Sequence, residues 1–484
     1  MAGDDQEMVP VENRYPSAPR LKQHCALFAV WNIPNAAELS YLGLYSLQHR
    51  GQESAGMVSW DGKRQNLFRG MGLVADVFDN EALRKLPGDI TIGHTRYSTT
   101  GSTHISNAQP LMVNFRGGQI AISHNGNLVN STRVRERLEE KGSIFQSSMD
   151  TEVIVHLIAS SRKKETVDAI IEALQEVKGA FSLLILVNGD LFLARDPYGF
   201  RPLSIGRLGN GYIAASETCA FDIVGASYER DVKPGEIVQF TREGLRSYEP
   251  FAPVPHRMCV FEYVYFARPD SIVFGQSAGE ARRAFGRQLA REHPAEADCV
   301  ISVPDSSNFT ALGFSEESGL PLEIGLIRNH YIGRTFIRPT QEVRDLGVKI
   351  KYNPVRKILE GRRIVVVDDS IIRGTTSRVL VRIIRQAGAK EVHLRIGSPP
   401  FRSPCYYGID TPSYEELIAS RNTVEEIADY LGIDSIGYLS LQGMLESAPL
   451  PKQSFCHACF SGEYPVEVEQ TDKFIHERKH VLTP

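Results

Sequence analysis

No run of apolar residues in this 484-residue chain approaches the roughly 20 that a membrane-spanning helix needs. The longest candidate, Leu183–Val187, is strand-sized. Basic charge is not in excess either: 54 Lys and Arg against 58 Asp and Glu leave a net charge of −4. That balance argues against a nucleic-acid surface, because binding a phosphate backbone needs a basic face. Internal repeats and low-complexity blocks are absent. The first 24 residues lack the apolar stretch of a secretory signal. The seven cysteines (Cys25, Cys219, Cys259, Cys299, Cys405, Cys456, Cys459) are scattered and odd in number. Without a signal peptide, that pattern argues against a disulfide framework and for a reducing, cytoplasmic compartment. What remains is an ordinary globular composition, 42% hydrophobic and 23% charged, on a chain too long for one core and suited to two domains.

The most informative stretch is I-V-V-V-D-D-S-I-I-R-G-T-T-S, Ile364 to Ser377. Four β-branched residues predict a buried strand that ends in two adjacent carboxylates, Asp368 and Asp369. Val379, Leu380, Ile383 and Ile384 then have helical spacing, so the intervening loop opens a helix. Backbone N–H groups of such a loop, with the Ser370, Thr375, Thr376 and Ser377 hydroxyls, form a nest for a phosphate dianion. The carboxylates are placed to accept hydrogen bonds from sugar hydroxyls and to help hold magnesium. A ribose 5-phosphate fits that arrangement. The string resembles the signature of type I phosphoribosyltransferases, which bind phosphoribosyl pyrophosphate (PRPP). The resemblance implies a PRPP site over Asp368, Asp369, Ser370, Arg373, Gly374, Thr375, Thr376 and Ser377.

Along the chain, a polar leader (1–24) gives way abruptly to C-A-L-F-A-V-W at Cys25. Strands are expected at Leu27–Trp31, Ile120–Ser123, Ser182–Val187 and Tyr212–Ser216. Helices are expected over Ser40–Gln48, Val134–Lys141 and Thr151–Ser160. The proline-rich segment Tyr248–Arg257 reads as a linker. Beyond it, a helix over Ala278–Glu292 is followed by alternating strands and helices through Ile396, the pattern of a parallel sheet with crossover helices. The resulting division is 1–24 as leader, 25–255 and 256–445 as domains, and 446–484 as a tail with sparse periodicity.

Cys25 stands where the leader ends. Together with S-L-Q-H-R-G-Q-E-S-A-G (Ser46–Gly56), G-H-T-R-Y-S-T (Gly93–Thr99) and S-H-N-G-N-L (Ser123–Leu128), it resembles the glutamine-amidotransferase domain of the N-terminal-nucleophile hydrolases. That resemblance implies an αββα sandwich and a thiol nucleophile at Cys25. It assigns the oxyanion hole to Asn125 and Gly126, and the glutamine contacts to Arg96, Thr99 and Asp150. If cleavage after His24 frees the α-amino group of Cys25, an amine with a reference pKa of about 7.7–8.0 supplies the base, so the leader is expected to be a propeptide. Ala26 departs from the family, which usually has glycine after the nucleophile, and sets a methyl group beside the thiol.

The order of the two domains resembles the glutamine PRPP amidotransferase family. The supporting strings are E-Y-V-Y-F-A-R-P-D-S (Glu262–Ser271), V-P-D-S-S (Val303–Ser307) and I-G-R-T-F-I-R-P-T-Q (Ile332–Gln341). This likeness implies a first step of purine synthesis that joins glutamine nitrogen to PRPP. It also implies pyrophosphate held at V-P-D-S-S with Ser306 as a magnesium contact, and an ammonia channel near Tyr263, Tyr265 and Phe266. Arg328, Arg334, Arg338, Arg344, Lys349 and Lys351 read as a basic lid over the pyrophosphate. Cys456-x-x-Cys459 is half of a metal site, which Cys259 and Cys405 are able to complete; four thiolates suit zinc or an iron–sulfur cluster. The resemblance implies a 4Fe-4S cluster on Cys259, Cys405, Cys456 and Cys459, with Cys219 and Cys299 as buried residues. A homotetramer with purine-nucleotide feedback is expected on the same ground. Competing readings are a PRPP-sensing repressor, which lacks its basic module here, a sugar-phosphate aminating enzyme, which would lack the PRPP loop, and an ammonia-dependent enzyme.

Overall fold

The computed structural model describes residues 25–97, 104–329, 351–411 and 413–469. The stretch A-L-F-A-V-W forms the strand Ala26–Trp31, buried along its whole length. Burial on both faces follows from its central place in a seven-stranded sheet. The order there is Ser227–Asp231, Ser204–Leu208, Gly211–Ala215, Ala26–Trp31, Ile90–Arg96, Ser54–Trp60 and Gln65–Met71. A second, six-stranded sheet runs Gly244–Tyr248, Ile237–Thr241, Asp190–Arg195, Gly179–Val187, Gly118–Leu128 and Leu111–Phe115.

Alternating side chains let each sheet bury two faces. Leu27, Ala29, Val58 and Ile92 of the first sheet share one core with Leu184, Leu186, Leu193 and Val238 of the second. On the outer side of the first sheet, Phe28 and Val30 pack with Ala36, Leu44 and Phe221 from the helices Ala36–Ser46 and Cys219–Val224. The second sheet's outer side carries helices Ser131–Glu140, Glu152–Ser160 and Thr166–Glu176. These four layers are the expected αββα sandwich. The last helix was not anticipated from the sequence, and the strand foreseen at Ile120–Ser123 extends over Gly118–Leu128. All but Leu128 of its extra residues, Gly118, Gln119 and His124 to Asn127, are polar or glycine and break the apolar alternation that marks a strand.

After Tyr248 the chain runs without regular structure to a short strand at Met258–Cys259. A five-stranded sheet follows in the order Leu322–Glu323, Cys299–Ser302, Arg363–Asp368, Glu391–Ile396 and Ser435–Tyr438, every pairing parallel. One face buries Val300, Val365 and Val367 against the helices Ala278–Glu292 and Asn308–Ser318. The other buries Ile364, Val366 and Ile396 with the helices Thr375–Gln386 and Val424–Leu431. The near-continuous apolar run of Ile364–Val367 is what a strand covered on both faces requires.

The tail, expected to show little periodicity, is more ordered than that over its described part. Phe455–Cys456 pairs in parallel with Met258–Cys259, and Ala458–Ser461 forms a helical turn. Short elements held by a distant partner leave no periodic trace.

Two candidate active sites and a four-cysteine centre

Cys25 is buried at the head of the first strand, its Sγ 3.6 Å from the Tyr97 carbonyl oxygen. Burial pushes its thiol up to about 11, against the opposing pull of Arg96. A base is therefore needed to make it a nucleophile near neutral pH. The Ala26 methyl does not crowd the thiol: it joins Phe28, Val30 and Leu44 in the helix-covered core, because successive strand residues point to opposite faces.

The strand Gly118–Leu128 brings up the second part of this site. Asn125 is 1% exposed, and neither polar atom of its side-chain amide has a partner. A buried amide left unpaired costs free energy that a ligand recovers. Gly126 follows with φ of 154°, and a Cβ there would lie 2.0 Å from the Ala180 oxygen, so only glycine fits. His124 anchors the strand through Gln109 Oε1 (2.7 Å from its N–H), Thr151 Oγ1 (3.0 Å) and the Ala180 oxygen (3.2 Å).

Arg96 is buried with Glu53 3.9 Å from its Nη1. Asp150 accepts from the Leu128 N–H at 2.8 Å and from Thr151 Oγ1 at 3.3 Å. Burial pushes the Asp150 carboxyl up, but His124 and these donors outweigh it and hold it below the usual carboxylate range. Thr99, expected in this site, lies outside the described residues.

In the parallel-sheet half, Asp368 and Asp369 lie at the end of the strand Arg363–Asp368. The V-P-D-S-S turn meets them: Ser306 Oγ donates to Asp369 Oδ2 at 2.5 Å and Ser307 Oγ to Asp368 Oδ1 at 3.2 Å. Ser370 Oγ donates to Asp369 Oδ1 at 2.7 Å. Burial and mutual repulsion push the Asp368 carboxyl up to about 8, and Asp369 rises with it, chiefly through burial. Lys351 exerts the opposite pull on both. Gly374 caps the helix Thr375–Gln386, at whose start Thr375 is exposed, Thr376 half-buried and Ser377 buried. Arg373 is turned to Glu416, 2.8 Å away. Of the expected lid cations, Arg328 pairs with Asp305 at 2.5 Å, while Arg334, Arg338, Arg344 and Lys349 lie outside the described residues.

The four cysteines of the third constellation come together. Cys259 and Cys456 face each other across the paired strands, Cys459 sits on the following helical turn, and Cys405 Sγ accepts from the Tyr407 N–H at 3.3 Å. Burial pushes Cys259 up to about 11 and raises Cys456 and Cys459 further, and neighbouring thiols of the group add to each shift. Among the described residues, no three His, Cys, Asp or Glu side chains close on a single metal ion. Cys219 and Cys299 are buried elsewhere, as expected.

One feature escaped the sequence reading. Arg50 and Glu217 of the sandwich, with Arg201, meet Glu262 of the second half in a fully buried network. Arg50 Nη1 donates to Glu217 at 3.0 Å, Arg50 Nη2 to Glu262 at 2.6 Å, and Arg201 Nη1 approaches Glu262 at 3.4 Å. Polar residues in L-Q-H-R-G and S-E-T-C were the only signal, and nothing local names their partners.

An αββα sandwich with a buried cysteine at its first strand, joined to a parallel sheet with a D-D-S loop, defines a glutamine amidotransferase fused to a phosphoribosyltransferase. The comparisons narrow this class. Residues 94–222 match the family model described as a glutamine amidotransferase domain. The chain is 47% identical to the amidophosphoribosyltransferase of Bacillus subtilis, over 96% of this chain and 98% of that one. It is 52% identical to that of Methanothermobacter thermautotrophicus (92% and 95% covered) and 50% identical to the chloroplastic amidophosphoribosyltransferase 1 of Arabidopsis thaliana (92% and 79% covered). The solved B. subtilis glutamine PRPP amidotransferase, complexed with ADP and GMP, superimposes with a TM-score of 0.87 at 47% identity, covering 92% of this chain and 98% of that one. The chain belongs to the amidophosphoribosyltransferase family. Its reaction moves the amide nitrogen of glutamine to C1 of PRPP, giving 5-phosphoribosylamine, glutamate and pyrophosphate, the first committed step of purine synthesis.

Proposed function

We propose that Cys25 attacks the glutamine side-chain amide while Asn125 Nδ2 and the Gly126 N–H receive the oxyanion. The observation that carries this reading is the Asn125 amide, buried with both polar atoms unpaired. Donors aimed in advance at the developing charge are the largest single catalytic contribution in such sites. Arg96 takes the substrate α-carboxylate, Asp150 its α-ammonium, and Thr99 orients it. Removal of residues 1–24 as a propeptide frees the Cys25 amine to act as base, which answers the burial that raises its thiol. Residues 25–255 then form the amidotransferase domain, 256–445 the phosphoribosyltransferase domain, and 446–484 the tail.

At the second site, PRPP binds over Asp368, Asp369, Ser370, Arg373, Gly374, Thr375, Thr376 and Ser377. The ribose hydroxyls meet the two carboxylates and the 5-phosphate meets the helix start. Ammonia released at Cys25 attacks C1, the C1–oxygen bond breaks, and pyrophosphate leaves toward Ser306 and the basic lid. Tyr263, Tyr265 and Phe266 border the ammonia path. Two buried carboxylates ringed by hydroxyls are a hard-oxygen donor set that fits magnesium. Asp368, Asp369 and Ser306 would hold the ion, which when bound would neutralise charge on the pyrophosphate.

Cys259, Cys405, Cys456 and Cys459 fit a 4Fe-4S cluster. Cys259, Cys456 and Cys459 are buried, Cys405 is half-buried and all four are free, and the buried Arg201 guanidinium lies near enough to favour the thiolates of Cys259 and Cys456. The cluster is structural and ties the tail to both domains. Purine nucleotides act as feedback inhibitors, a reading supported by the ADP and GMP of the solved relative. A cytoplasmic homotetramer completes the proposal.

Replacing Asn125 tests the assignment. Asn125→Ala should lower the glutamine-driven rate by about 10²–10³-fold and leave ammonia-driven turnover intact. An unchanged glutamine rate would overturn it.

A further inference from the structure

The residues proposed for the oxyanion hole are covered on one side by a segment from the other half of the chain. Asn127 Nδ2 donates to the Tyr406 carbonyl oxygen at 2.9 Å. Gly408 holds φ of 103°, and a Cβ on it would lie 3.0 Å from both Cα and the carbonyl carbon of Gly126 and 3.1 Å from its oxygen. The Cα and carbonyl group of Gly126, which adjoin the peptide bearing the oxyanion donor, thus meet the backbone of the loop bearing Cys405.

That loop is rigidly held. The Cys405 N–H donates to Thr411 Oγ1 at 2.7 Å. Fully buried Arg201 donates to the Tyr407 carbonyl oxygen from Nε (2.9 Å) and Nη2 (2.7 Å). The Tyr407 ring stacks on Phe200 at 4.4 Å, with 19° between the planes. Gly126 has no side chain to resist a shift, and its Cα, on which Gly408 packs, is also the end atom of the Asn125–Gly126 peptide whose N–H is the proposed donor.

We infer that Asn127 and Gly408 are positioning residues for the glutaminase step, and that the Cys405 loop sets the geometry of the oxyanion hole from across the domain seam. This deepens the reading above and rests on Gly126 as an oxyanion donor. A displaced donor weakens binding of the tetrahedral oxyanion and spares the ground state, which Arg96 and Asp150 hold. The loss therefore falls on kcat rather than KM.

The test uses the full holoenzyme carrying Gly408→Ala or Asn127→Ala. Steady-state rates with glutamine and with ammonium would be measured beside iron content per chain. Glutamine-driven kcat should fall at least about tenfold, with glutamine KM, ammonia-driven rate and iron content as in the wild type. Should Gly408→Ala lose iron or ammonia-driven turnover, Asn127→Ala decides, because it removes one hydrogen bond and leaves the loop backbone in place. Normal glutamine kcat in Asn127→Ala, with Asn125→Ala strongly impaired, would overturn the inference alone. Normal kcat in Asn125→Ala as well would overturn the oxyanion reading beneath it.

Discussion

Glu217 shows how much one buried side chain carries. Its carboxylate is fully buried and receives Arg50, His49 (Nε2 at 2.8 Å), the Arg268 N–H at 2.9 Å and Ser271 Oγ at 2.8 Å. Burial alone would push it up, yet His49, Arg50 and the other donors overwhelm that and hold it far below the ordinary 4.5. A carboxyl depressed in the folded state adds stability above its unfolded pKa and loses it as pH falls below that value. Glu217→Gln should cost about 3–5 kcal/mol at pH 7, because Arg50 and Arg201 then share one carboxylate. The gap between the variant and the wild type in denaturant unfolding should shrink below pH 4.5. A gap independent of pH would contradict the ion-pair explanation. The sequence could not name this network, since arginine and glutamate are ordinary surface residues until the fold brings them together. Cys25, Asn125 and Asp368 were legible for the opposite reason: each sits in a local string whose chemistry reads without a distant partner.

Elements whose stability is local were the easiest to foresee. The strand Arg363–Asp368, its loop and the helix Thr375–Gln386 form one continuous strand–loop–helix unit, and the helix Ala278–Glu292 falls where its periodicity put it. The segment following Ser447 was harder because its order is borrowed. Tyr407 OH donates to the Val466 carbonyl oxygen at 2.5 Å and accepts from the Val466 N–H at 2.9 Å. Tyr464 OH donates to the Pro404 carbonyl oxygen at 2.6 Å, and Glu469 reaches Arg133 of the sandwich at 3.1 Å. Tyr407→Phe removes both bonds to Val466 and leaves that buried peptide unpaired, at a cost of about 1–3 kcal/mol. A lowered thermal midpoint, with early proteolysis after Ser461, is the expected outcome. A variant that unfolds and digests like the wild type would mean that the tail is held by other contacts.

Over the whole molecule, the seam between the halves is where the chemistry converges. The Arg50–Glu262–Arg201 network, the Cys405 loop and the four cysteines all lie along it, and the tail crosses it to reach Arg133. Such a seam suits two reactions that must share an ammonia molecule, because a nucleophile made at one site is lost to protonation if it reaches bulk water. The proposed thiol nucleophile and oxyanion hole would also separate this chain from a PRPP sensor, which needs no thiol, and from an ammonia-dependent enzyme, which needs no oxyanion hole. The most direct measurement is PRPP-dependent pyrophosphate release by matured protein, its intact mass beginning at Cys25, with glutamine or ammonia as donor, for wild type and Cys25→Ala. The wild type should turn over with both donors, and Cys25→Ala should lose only the glutamine-driven rate. Glutamine-driven turnover surviving in Cys25→Ala, or full activity in a chain that keeps residues 1–24, would contradict a mechanism in which the freed Cys25 is the nucleophile.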